Sequence, residues 1–156
     1  MHHALASITL LVLGATTPSP AQAQAQAQSG SAADAKIITE ATKGALKSTK
    51  GKYFDKSFNA SVDYEAQVID LNGDGQPEVF TKHHGAMFGG AGVSVDLLIK
   101  GKNGKWTSQF GFPGDYNILK TKNKGYPDIE IQGPGTCFPI WRWNGTVYDL
   151  HKRCAK

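Results

Sequence analysis

Little in this chain points to chemistry of its own. Its 156 residues include 2 cysteines, 5 histidines and 13 carboxylates, and none of them forms a familiar catalytic pattern. G-x-S-x-G, H-E-x-x-H and a reactive Cys-His pairing are missing. The two cysteines lack the short C-x-x-C spacing that a thiol redox or zinc site uses. Long hydrophobic runs are scarce as well. The run at the start, Leu5 to Ala15, is too short to cross a bilayer, which takes about 20 apolar residues, and no later segment offers a span. No block of one charge stands out either. The formal charge of +4 is spread along the chain. The densest basic group, Lys47, Lys50, Lys52 and Lys56, reads as a solvated face, so no nucleic-acid partner is expected.

The short apolar start has the length of a signal-peptide core, although His2-His3 stands where Lys or Arg is usual. Ala21-Gln22-Ala23 supplies the first small-residue cleavage site. The expected organisation is a signal peptide over 1–23, a flexible Ala/Gln/Ser lead-in over 24–33, and a single calcium-binding, β-rich domain over 34–156. Export places the protein in the periplasm or outside the cell. In that oxidising setting the isolated pair Cys137 and Cys154 is read as a disulfide.

Ile37, Ile38, Ala41, Ala45 and Leu46 recur at three- and four-residue steps, predicting one amphipathic helix capped by Asp34 and ended by Ser48 to Gly51. The remainder reads as strands and turns. Val62, Tyr64, Ala66 and Val68 alternate with polar residues, and strands follow over Glu78–Lys82, Val93–Lys100, Trp106–Phe110, Tyr116–Thr121 and Tyr126–Gln132. The last hairpin, Phe138–Trp143 and Thr146–Arg153, turns at Asn144-Gly145. A two-residue turn would set Cys137 against Lys152, so reaching Cys154 would need a bulge or a looser end. The fold class is mainly β (α+β): a short N-terminal helix, then an antiparallel sheet of successive hairpins, propeller-like or a partial barrel.

The densest signal is Asp70-Leu-Asn72-Gly-Asp74-Gly75-Gln76-Pro-Glu78. Alternating Asp70, Asn72 and Asp74 can aim three side-chain oxygens at one point, with Gly75 at the bend. Gln76 offers a main-chain carbonyl, and Glu78 closes the shell directly or through a water. Hard oxygen ligands at this spacing suit Ca²⁺ better than Mg²⁺. A weaker echo, Gly125-Tyr-Pro-Asp128-Ile, lies about fifty residues on without the three ligands.

Val68-Ile-Asp70-Leu-Asn72-Gly-Asp74-Gly75-Gln76-Pro-Glu78-Val-Phe resembles the calcium loops of FG-GAP and VCBS-type repeats, which are flanked by strands. It also resembles the first nine positions of an EF-hand loop, but the twelfth position is Thr81 and the flanks alternate like strands. The signal peptide, small β-rich body and calcium turn together resemble periplasmic immunity proteins that protect against cell-wall-cutting toxins of type VI secretion. That resemblance implies a protein partner, a secreted or cell-wall-acting enzyme, held without turnover. A homodimer is left open.

Four other features carry alternatives. Gly85-Ala-Met87-Phe88-Gly89-Gly90 lacks the P-loop Lys-Ser/Thr but can present Met87 and Phe88 as an apolar tip on a pliable frame, a partner-binding loop. Trp141 and Trp143, with Tyr148 across the hairpin, form either core packing or a platform for a glycan- or peptidoglycan-binding module. His83-His84 could serve a small hydrolase with Asp96 or Asp115, but adjacent strand residues point to opposite faces. Asp128 and Glu130 share a strand face and could act as an acid/base pair. No catalytic residue is assigned, and the expected function is that of a calcium-stabilised, non-catalytic binding protein.

Overall fold

The computed structural model describes residues 31–154. The signal peptide expected over 1–23 lies outside the described residues, as does the lead-in up to residue 30. Helix α1, Ala32–Ala41, begins with a capping box. The Ser31 hydroxyl accepts the Asp34 N–H at 3.0 Å, and the Asp34 carboxylate accepts the Ser31 N–H at 3.1 Å. Asp34 is thus the third residue of the helix and Ser31 the cap, each satisfying an N–H that the helix cannot. The helix also ends earlier than its apolar spacing predicts, at Thr42. Leu46 is still buried in the loop beyond it, where the Thr42 hydroxyl accepts its N–H at 3.0 Å.

The strands fall into two antiparallel meanders. The first sheet runs in the order β1 (Lys50–Asp55), β2 (Ala60–Ile69), β3 (Glu78–His84), β4 (Val93–Lys100) and β5 (Trp106–Pro113). The second runs β6 (Asp115–Asn123), β7 (Tyr126–Gln132), β8 (Ile140–Trp143) and β9 (Tyr148–Lys152). Mainly β with a short helix is correct. Among the described residues both sheets are open rather than closed into a ring. A 3₁₀ turn, Ala86–Ala91, joins β3 to β4.

Strand alternation sends side chains of the first sheet into two different cores. On one face Tyr64, Ala66 and Val79 pack beneath Ile38 and Ala41 of α1 and Leu46 of the following loop. On the other, Phe80, Val95, Leu97, Ile99 and Phe110 meet Tyr126, Ile129, Ile131 and Tyr148 of the second sheet. The order of layers is therefore helix, five-stranded sheet, four-stranded sheet.

The last hairpin corrects the expected turn. Asn144 through Val147 make a four-residue turn in which the Asn144 side-chain carbonyl accepts the Thr146 and Val147 N–H groups. Trp143 consequently faces Tyr148 rather than Thr146. That advance of the pairing, together with a bulge between Ile140 and Trp141, brings Cys154 to Cys137, whose Cα atoms are 5.6 Å apart in the disulfide.

Candidate functional site

The loop between β2 and β3 is held by its own side chains. Asp70 Oδ1 accepts the N–H groups of Gly73 and Asp74 at 2.8 and 3.2 Å, and Oδ2 accepts that of Gly75 at 2.9 Å. The Gly75 N–H is the largest of the influences that hold the Asp70 carboxyl below its ordinary pKa. Asn72 Oδ1 accepts the Asp74 N–H, and Asp74 Oδ1 accepts that of Gln76. Gly73 and Gly75 lie at φ of 81° and 85°, a region that disfavours other residues. Asp70, Asp74 and the Asn72 amide oxygen are thereby fixed at the surface, and Asp70 Oδ2, the Asp74 oxygens and the Asn72 amide oxygen each accept one bond and keep a second lone pair. These are hard oxygen donors of the kind Ca²⁺ takes.

Glu78 is buried beside them, and the Asp74 and Asp70 charges bear on it. It is 2% exposed, and it accepts the Leu71 N–H at 2.8 Å and the Tyr126 hydroxyl at 2.9 Å. Burial pushes its carboxyl up, and these two hydrogen bonds offset part of that. Among the described residues, no three His, Cys, Asp or Glu side chains gather as a metal-binding cluster. The loop's own donors are two carboxylates, an amide oxygen and the Gln76 carbonyl. Glu78 instead ties the loop to the second sheet. Sequence spacing gave no hint of Tyr126, which lies 48 residues away.

The echo in β7 has the same architecture with a different partner. Asp128, like Glu78, is buried at the start of a strand and is bonded by the residue seven positions earlier. Thr121 donates its hydroxyl at 2.6 Å, and Arg142 closes the remaining side with bonds of 2.9 and 2.7 Å. Arg142 is the main reason the Asp128 carboxyl sits below its ordinary pKa. An acid/base pair with Glu130 is not what the structure builds, since Asp128 is only 1% exposed and committed to Arg142.

The adjacent histidines do part to opposite faces. His83 Nε2 lies 3.1 Å from the Thr81 hydroxyl, and its Nδ1 is buried without a partner among the described residues. Thr81 is itself 2% exposed. Asp115 pairs with Lys82 and Asp96 accepts from Ser108, so neither carboxylate orients an imidazole.

The Gly85–Gly92 segment is less free than its glycines imply. Met87 folds back over Gly85, and Phe88 is half-buried with its ring 6.1 Å from Phe58 and 6.5 Å from His83. Gly89 and Gly90 are exposed beside them. Phe58, in the β1–β2 turn, is 51% exposed and extends this apolar surface, and Phe54 on the edge strand is 59% exposed. Both lie in Lys-Tyr-Phe-Asp-Lys-Ser-Phe, and two phenylalanines among charged and polar residues were the available signal.

Trp141 and Trp143 are both half-buried against the core between the sheets. Trp143 packs on Tyr126 at 4.6 Å. Trp141 lies 4.7 Å from Phe112 and borders a cavity of about 400 Å³ with Phe138, Pro139 and Leu150. No helix among the described residues is long and apolar enough to cross a membrane. Comparison with family models, curated proteins and solved structures finds no match to this chain.

Proposed function

We infer that this protein is a non-catalytic binding protein of the periplasm or extracellular space, stabilised by one Ca²⁺ in the 70–78 loop. Its most concrete role is inhibition of a secreted or cell-wall-degrading enzyme, as an immunity protein does. The observation that carries the binding role is the apolar tip of Phe58, Phe88 and Met87 at one end of the first sheet. Large exposed aromatics grouped on a rigid scaffold are what protein interfaces use as anchors. Calcium fits the self-ordered Asp70, Asn72 and Asp74 oxygens and would fix β2 against β3. The disulfide agrees with an oxidising compartment.

The test is affinity capture from periplasmic extract with the wild type and with Phe88→Ala, in calcium and in chelator, followed by assay of the captured enzyme. A captured hydrolase whose activity falls on binding, and whose capture weakens with Phe88→Ala at unchanged melting temperature, is expected. Capture indifferent to Phe88, or hydrolysis of wall material by the protein itself, would refute the reading.

A second reading, a glycan- or peptidoglycan-binding module, draws on the Trp141 cavity alone, since Trp143 is occupied by Tyr126 and Tyr148. Quenching of Trp141 fluorescence by wall fragments, absent in Trp141→Phe, would favour it. A hydrolase built on His83 or His84 is the least supported, because no carboxylate bonds either ring among the described residues.

A further inference from the structure

A cavity of about 330 Å³ lies between the C-terminal end of α1 and the face of the first sheet. Leu46 and Leu98 give it an apolar floor, Tyr53, His83 and Asp96 stand in its wall, and Lys43 is on its rim. The Tyr53 and His83 rings meet edge to face at 5.6 Å.

Asp96 is the carboxylate in the lining of this cavity. Like Asp34, Asp55, Asp70, Asp74, Glu78, Glu130 and Asp149, it has no lysine or arginine in ion-pair contact among the described residues. Its half-buried carboxylate accepts a single side-chain hydrogen bond, from the Ser108 hydroxyl at 2.7 Å. Withdrawing a carboxylate from water without a cation is unfavourable, and burial duly pushes its pKa up. The last turn of α1 also borders the cavity through Ala41 and Thr42. Its carbonyl end carries the negative pole of the helix and favours a cation. Carboxylate, aromatic walls and helix C-terminus all ask for positive charge on an apolar stem.

We propose that this cavity binds an alkyl- or arylammonium group, with the Asp96 carboxylate as its counter-ion and the Tyr53 ring as its aromatic wall. Lys43 at the rim repels a second positive charge, so the site takes monoamines in preference to polyamines. The site is independent of the ion in the 70–78 loop. The group can belong to a free amine or to a lysine side chain of a protein, and the probes separate the two.

The experiment is an amide-resolved NMR titration of the disulfide-bonded protein at neutral pH. Its probes are 2-phenylethylamine, the neutral 2-phenylethanol and Nα-acetyl-lysine methylamide. An amine should perturb Leu46, Thr81, His83 and Asp96 and bind about tenfold tighter than the alcohol, the typical scale of a partly desolvated charge contact. Asp96→Asn should erase that preference, and Lys43→Asn should strengthen amine binding severalfold. Tighter binding of the lysine derivative assigns the group to a protein side chain, and tighter binding of phenylethylamine assigns it to a free amine. Equal binding of 2-phenylethylamine and the alcohol, a preference surviving Asp96→Asn, or no perturbation by either amine at about 10 mM overturns the proposal. The wild-type amine–alcohol comparison decides even if Asp96→Asn does not fold.

Discussion

Arg142 grips Asp128 through Nε and Nη2 at 2.9 and 2.7 Å, and the carboxylate is 2% exposed while the guanidinium keeps about a third of its surface in water. Breaking such a pair leaves a buried charge without a partner. Arg142→Met should therefore cost about 3 kcal/mol in urea unfolding, whereas Arg142→Met combined with Asp128→Leu should regain most of that loss. Because Asp128 titrates below its ordinary 3.8, its contribution is present above that pH and fades as pH falls through the lowered value. His83 has the opposite need. Burial first, and the neighbouring His84 second, hold its pKa below 6.5. Between that lowered value and 6.5 the unfolded chain binds more protons than the folded one, so stability falls on acidification from neutral pH. Melting temperatures between pH 8 and 5 should drop in the wild type and drop less in His83→Gln, which cannot take the proton. An equal drop in both would remove His83 from the account.

At the level of elements, the two cross-braces are the 70–78 loop and the disulfide. Calcium at about one hundred times its dissociation constant would stabilise the fold by about 2.7 kcal/mol. The melting temperature should rise with calcium, fall with chelator, and become indifferent to both in Asp74→Ala. Gly75→Ala, at φ of 85°, should lower stability by about 1 kcal/mol even in chelator. Reducing the Cys137–Cys154 bond, which spans 17 residues, should cost about 3 kcal/mol in denaturant unfolding. The loop and the half-buried strands were legible because their signals are local: Val62, Tyr64 and Ala66 alternate, and Val93–Lys100 matches β4 end to end. Strand β1 was not legible. Its only inward aromatic is Tyr53, and what holds it is pairing with β2, including Lys50 to Glu65 and Lys52 to Asp63 at 3.0 Å each. Lys50 and Lys52, two of the four lysines in the solvated cluster, stay exposed and form half of a cross-strand ladder, and a non-local partner has no trace in their own spacing. The final turn escaped for a related reason. Asn144-Gly145 fits a two-residue turn locally, but burial of Tyr148 at 2% exposure selects the register two residues on.

Across the whole molecule, the two sheets meet through apolar packing and a few polar links, Tyr116 to Gln67, Tyr148 to Gln109 and Asp115 to Lys82, and one buried polar contact reaches from the loop into that interface. Leu71 and the Glu78 carboxylate belong to the loop's base, and Tyr126, the partner of Glu78, opens β7. Tyr126 also packs on Trp143 and Tyr148, so its position is shared by β7, β8 and β9. An ion that steadies Asp70 and Asp74 would steady Glu78 through the short chain between them, and through Glu78 the second sheet. Packing alone predicts something else, namely that calcium protects only β2 and β3. Hydrogen exchange separates the two. With calcium, slowed exchange should extend beyond Val68–Phe80 to the amides of Ile129 and Ile131. In Tyr126→Phe, which keeps the ring and loses the hydroxyl, protection by calcium should survive in the first sheet and vanish in the second. The variant should lose about 1–2 kcal/mol, because the buried Glu78 oxygen is left without its donor. Calcium protection confined to the first sheet in the wild type would mean that the two sheets respond separately and that Glu78 serves packing alone.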